Sequence, residues 1–333
     1  MARSDLVKAL IRSYSRGDDA AFQSAAEAVI ADERRKRHDL LADELAAILA
    51  EPPQASARRR PLQVSSLKPL PKSRDDHPLL TIIQPRWSFQ DLVLDETIMT
   101  VLDSIVDEFR QRSTLRAHGV EPRSSLLLVG PPGTGKTVTG EAIAGELGLA
   151  VARIQLATVV SSYLGETARN LEQIFGFLNT GSWVLQFDEF DMLGRERSDR
   201  SDHGELRRVV AAMLQIIDEN NADSIFVATS NHPSLLDSAV WRRFDEVITF
   251  GLPDATARSA LLERKLRGVK VDIDVQSATK ALDGFSAAEI ESVCLNAIRL
   301  MVRRYDKTVT DAHLRYGMER EEARRRAIST SQD

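Results

Sequence analysis

Eight consecutive residues carry the densest chemistry in the chain: Gly130-Pro131-Pro132-Gly133-Thr134-Gly135-Lys136-Thr137. They fit the pattern G-x-x-x-x-G-K-[ST] and follow the apolar run Leu126-Leu127-Leu128-Val129, so the loop leaves a buried strand and opens a helix. Glycines at 130, 133 and 135 let backbone N–H groups turn inward, and the helix N-terminus adds donors for phosphate oxygens. Lys136 offers a mobile positive charge to the β and γ phosphates. The Thr137 hydroxyl can complete the coordination of Mg²⁺. This is a cradle for a nucleoside triphosphate with its magnesium ion.

A second element is acidic. The apolar run Trp183-Val184-Leu185-Gln186-Phe187 ends in Asp188-Glu189, which puts two carboxylates at the C-terminal end of a buried strand, where ligands of α/β folds bind. Asp188 can hold Mg²⁺ through water, while Glu189 polarises the attacking water. Asp191, two residues further, reads as a helix-capping acid. A third run, Phe226-Val227-Ala228-Thr229-Ser230, ends in Asn231, whose amide can orient the same water.

Such residues converge only if parallel strands bring their ends together. Five strands are expected at 125–129, 151–155, 183–187, 225–229 and 247–250, with helices between them. The α/β domain then spans 77–251. Beyond Pro253 the apolar spacing becomes helical (Ala260, Leu261, Leu262, Leu266, then Ile290, Val293, Cys294, Ala297), so 252–333 forms a helical lid domain. Its Arg/Glu-rich end after Met318 reads as a fraying, solvated helix. Residues 1–51 carry helical apolar stripes around Gly17-Asp18 and form a small helical domain suited to recruiting a partner. Residues 52–76, rich in Pro, Ser and Arg, read as a linker.

The composition suits a globular protein: 43% hydrophobic and 28% charged over 333 residues, with no apolar stretch near the roughly 20 residues that span a bilayer. Neither a secretory segment nor a disulfide is expected, since Cys294 is the one cysteine; both point to the cytoplasm. Cys294 reads as a small core residue. A net charge of -5 argues against broad attraction to nucleic acid. With 35 arginines to 9 lysines throughout, Arg58-Arg59-Arg60 carries little meaning beyond a solvated linker.

Taken together, GPPGTGKT, FDEFD at 187–191, ATSNHP at 228–233 and LDSAVWRRFDEVITF at 236–250 resemble the AAA family of the AAA+ superfamily over roughly 84–315. The resemblance implies an α/β P-loop fold with a parallel sheet in the order 5-1-4-3-2, a C-terminal helical lid and ATP hydrolysis. It implies that Arg242 and Arg243 are arginine fingers acting on a neighbouring subunit's ATP. Ser162-Tyr163-Leu164-Gly165 resembles the family's pore loop, in which Tyr163, Leu164 and Gly165 would grip an extended polypeptide. In Gly284-Phe285-Ser286-Ala287-Ala288-Glu289 the lid element lacks the arginine common in clamp loaders and replication initiators; Ala287 and Ala288 would face the nucleotide. Val93 and Leu94 stand where the family lays backbone against adenine. The resemblance implies a hexameric ring that remodels or threads a protein bound through the N-terminal helices. Two alternatives stay open: a nucleotide-switched scaffold for a dedicated protease or nuclease, and a DNA-remodelling ATPase.

Overall fold

The computed structural model describes residues 19–35, 69–159, 166–179, 181–193, 223–236 and 238–330. The chain divides into two compact units at Arg60/Pro61. In the first, the described part is one helix, α1 (Asp19–Arg35).

The second unit is built on a six-stranded sheet: β1 (Leu80–Ile83), β2 (Ser125–Val129), β3 (Ala150–Ile154), β4 (Trp183–Phe187), β5 (Ile225–Ser230) and β6 (Glu246–Thr249). Its spatial order is β1-β3-β4-β5-β2-β6. The five anticipated strands thus lie parallel in the order 5-1-4-3-2. The expectation of five strands needs one correction: β1 extends the edge antiparallel to β3, with Leu80 opposite Ile154 and Ile83 opposite Val151. Four residues before Pro85 were too short a run to announce themselves. Of the stretch read as a linker, 52–68 lies outside the described residues, and the part just before β1 makes a turn: Leu79 N donates to Pro71 O at 3.0 Å and Ser73 N to His77 O at 2.8 Å.

Every side chain of β2 and β4 is buried, since a central parallel strand is covered on both faces. Alternate residues feed two cores. Leu126 and Leu128 pack with helices α2 (Glu96–Arg110) and α3 (Lys136–Leu147) through Ile105, Phe109 and Ile143. Leu127 and Val129 face the other layer, which includes α4 (Glu166–Leu178) through Leu171 and Ile174. Two such layers hold the sheet's C-terminal edge still, and that edge carries the loops of interest.

The lid is a third core: α5 (Ala255–Lys265), α6 (Val275–Ala281), α7 (Ala287–Arg303) and α8 (Asp311–Thr330), with a two-residue parallel ladder of β7 (Val271–Asp272) and β8 (Val309–Thr310). Cys294 is buried in it, and burial pushes its thiol up to about 12, so it is a packing residue. The chain's end corrects another expectation. Instead of fraying in solvent, α8 docks: Glu321 is buried and accepts from Ser292 Oγ at 2.7 Å, and Arg325 pairs with Glu289 at 2.6 Å above the Phe285 ring.

Candidate functional site

The phosphate loop joins β2 to α3. Gly130 has φ +147°, and a Cβ there would lie 2.2 Å from the carbonyl oxygen of Phe250, the residue after β6, so only glycine fits here. Gly133, with φ +75°, lies against the lid, where a Cβ would meet Ser286 Oγ at 2.8 Å. Between them the chain turns tightly, with Thr134 Oγ1 donating to Pro131 O at 2.9 Å. Lys136 is buried and donates through Nζ to the carbonyls of Gly130 (2.8 Å) and Pro131 (2.7 Å). Burial lowers its pKa, against the opposing charges of Asp191 and Asp188.

The acidic strand end meets this loop directly. Thr137 Oγ1 donates to Asp188 Oδ1 at 3.1 Å, and Thr229 Oγ1 and Gln186 Nε2 donate to the same oxygen at 3.1 and 3.2 Å. A hydroxyl and a carboxylate converging beside a phosphate loop form a hard-oxygen donor set, which fits Mg²⁺. Glu189 follows with φ +56°, a left-handed conformation that costs a glutamate on the order of 1–2 kcal/mol. Strain of this kind collects where a side chain must be aimed. Its N–H approaches Thr229 Oγ1 at 3.4 Å. Asn231 N donates to the buried carboxylate of Asp191 at 3.0 Å, which ties the ends of β4 and β5 together.

A cleft of about 660 Å³ gathers Lys136, Thr137, Asp188, Glu189 and Asn231 with Val93, Leu94, Ala287 and Ala288. A neighbouring hollow shares Val93, Leu94 and Thr134 and continues along 95–99 and 249–254. The lid is fastened to both: Ala288 N donates to Gly133 O at 3.0 Å, and Arg264 Nη2 donates to Gln90 O at 2.6 Å and to Asp91 at 3.2 Å. Residue types at the expected spacing are therefore brought into one cleft.

Arg242 and Arg243 are exposed and lie elsewhere. Ser125 Oγ donates to Arg243 O at 3.2 Å, which places this pair at the start of β2, whereas Gly130 follows its end. Five strand residues separate them, roughly 16 Å. The loop is anchored by Asp245, which accepts from Ser124 N and Ser125 N at 2.9 Å, and by Glu246, which pairs with Arg123 at 2.6 Å. Tyr163, Leu164 and Gly165 lie outside the described residues, as does most of 1–68.

Three residues that line or underlie this cleft were not anticipated. Asp191 had a blander reading. Arg264 gives no sequence signal in a chain so rich in arginine. Arg153 had one: a charge inside the apolar run Ala150-Val151-Ala152-Arg153-Ile154.

Comparison with known proteins agrees with this geometry. The model of the ATPase family associated with various cellular activities (AAA) matches residues 126–252. The chain is 40% identical to an uncharacterized AAA family ATPase, y4kL, of Sinorhizobium fredii over 98% of this chain and 97% of that protein. It is 33% identical to the ATP-dependent zinc metalloprotease FtsH 4 of Sphaerobacter thermophilus, over 68% of this chain and 36% of that one. Identity to the proteasome-activating nucleotidase of Aeropyrum pernix is 32%, over 68% and 58%. The chain thus spans nearly all of the first relative but about a third and just over half of the other two.

Proposed function

The chain belongs to the AAA family of ATPases, and from that premise we propose that it hydrolyses ATP in this cleft to remodel or thread a polypeptide, working as a homo-hexameric ring in the cytoplasm. The observation that carries the catalytic part is the 3.1 Å hydrogen bond from Thr137 to Asp188, which joins the phosphate loop to the acidic strand end. Gly130 to Gly135 turn N–H groups onto the phosphates, and Lys136 exchanges its two loop carbonyls for phosphate oxygens. Magnesium, when bound by Thr137 and through water by Asp188, neutralises phosphate charge. Glu189 polarises the attacking water, Asn231 holds that water in line, and Val93, Leu94, Ala287 and Ala288 wall the base and sugar.

Arg242 and Arg243, one strand length from their own cradle, complete the site of the next subunit, where a guanidinium stabilises charge spreading over the γ-phosphoryl oxygens. A protein substrate is supported by the lid's Ala287-Ala288, where an arginine would favour the nucleic-acid branches, and by two relatives, one named an ATP-dependent metalloprotease and the other a proteasome-activating nucleotidase. No helix among the described residues is long and apolar enough to cross a membrane. Residues 1–51 choose the partner, and Tyr163 with Leu164 and Gly165 grips it.

Replacing Glu189 by Gln tests the reading. Turnover should fall by roughly 10²- to 10⁴-fold with ATP affinity kept; hydrolysis at the parent rate would remove Glu189 from the mechanism. Tyr163→Ala then separates a threading enzyme, which loses work on substrate but keeps ATPase, from a scaffold, which is indifferent.

A further inference from the structure

The strand β3 carries one charged residue, Arg153, and it points into the nucleotide cleft beside the carboxylate that the proposed function gives to magnesium. Its Nη2 donates to Glu141 Oε1 on α3 at 2.8 Å and to Gln186 Oε1 at 3.3 Å. Its Nε lies 3.4 Å from Asp188 Oδ2, is buried, and makes no hydrogen bond among the described residues. The two oxygens of Asp188 are therefore differently occupied. Oδ1 takes three neutral donors, from Thr137, Gln186 and Thr229; Oδ2 faces the guanidinium.

We propose that Arg153 is a resident counter-cation of Asp188 that competes with the divalent ion for this carboxylate, a positioning residue that sets the magnesium dependence of nucleotide binding. Two charges of one sign cannot share a carboxylate without mutual repulsion, and at this separation in a half-buried cleft the repulsion is weakly screened. Glu141 limits the effect. By holding Nη2 it divides the guanidinium between two carboxylates and keeps it from settling fully onto Asp188. The misaligned, unsatisfied Nε fits that division: the arginine is stretched between partners rather than seated on one. The neutral donors keep Oδ1 in place whether or not the guanidinium stays beside Oδ2.

The inference rests on the reading of the cleft as a magnesium-nucleotide site, and the test separates the two. Binding of a fluorescent, non-hydrolysable ATP analogue to the full-length protein is measured from EDTA to millimolar Mg²⁺. The parent should show binding that strengthens with Mg²⁺; no binding at any Mg²⁺ concentration overturns the functional reading and this inference with it. In Arg153→Gln the half-saturating Mg²⁺ concentration should fall about five- to tenfold while affinity in EDTA stays within about twofold of the parent. Arg153→Lys, which keeps the charge, should restore most of the parent's midpoint. An unmoved or raised midpoint in Arg153→Gln overturns the competition, and a loss of affinity in EDTA makes Arg153 a phosphate ligand instead. Should Arg153→Gln not fold, Glu141→Gln carries the test in the opposite direction. Freed from its second carboxylate, the guanidinium settles onto Asp188 and the midpoint rises at least about twofold; no rise sinks the proposal.

Discussion

At the scale of single residues, the cleft is governed by backbone that only certain residues tolerate. Gly130 is the clearest case, because its would-be Cβ meets the main-chain oxygen of Phe250, just past β6, at 2.2 Å, and that main chain is tied to β2 by the bond from Phe250 N to Val129 O. Gly130→Ala should destabilise the protein by about 1–3 kcal/mol and weaken nucleotide binding, visible as a lowered thermal midpoint that ATP no longer raises. Lys136 works differently. Its ammonium is desolvated and held by two carbonyls, so the loop is shaped around a charge that a phosphate can claim. Lys136→Ala should abolish binding of fluorescent nucleotide while leaving the fold near its parent stability; retained affinity would remove this lysine from the site.

At the scale of elements, two attachments position the site. The first is the sheet: Leu127 is wholly buried between layers, and Leu127→Ala should cost about 2–5 kcal/mol by loss of contacts and a residual cavity, read from denaturant unfolding. The second is the N-terminus of α7, which lies on the phosphate loop. Its capping box, Ser286 with Glu289, is braced from α8 by Arg325. Arg325 beside it holds the Glu289 carboxyl down at about 2, against a usual 4.5. A depressed carboxyl pKa stabilises the fold above the unfolded value and is lost as pH falls through the folded one. The thermal midpoints of parent and Arg325→Ala should therefore differ near pH 7 and converge as pH drops from 4.5 towards 2. A gap that stays constant over that window would mean that the pair contributes nothing through ionisation.

At the scale of the whole molecule, the separation of Arg242 and Arg243 from Gly130 along β2 bears on the proposed ring. In the proposed ring, a finger some 16 Å from its own cradle would serve another subunit's. Mixing Arg242→Ala/Arg243→Ala chains with Glu189→Gln chains should restore part of the ATPase activity, because some interfaces then join an intact catalytic end to an intact finger. Full activity in a strictly monomeric parent, measured by sedimentation at assay concentration, would contradict the ring.

The sequence by itself determined the phosphate loop, the acidic strand end, the central strands and the lid. Each is written in a local pattern: a glycine spacing, an unbroken apolar run, a helical period. The tertiary structure alone decided what those patterns meet. The edge strand Leu80–Ile83 is too short to signal and exists because β3 offers it a partner. The charged tail of α8 looked solvated, yet Glu289 and Phe285 lie where Arg325 can reach them. Asp191 and Arg153 gain their importance from strands adjacent in space but distant in sequence, since hydrogen bonds and charges act across a few ångströms regardless of chain separation. Spacing along the chain selects the chemistry, and the parallel sheet selects which chemistries share a cleft.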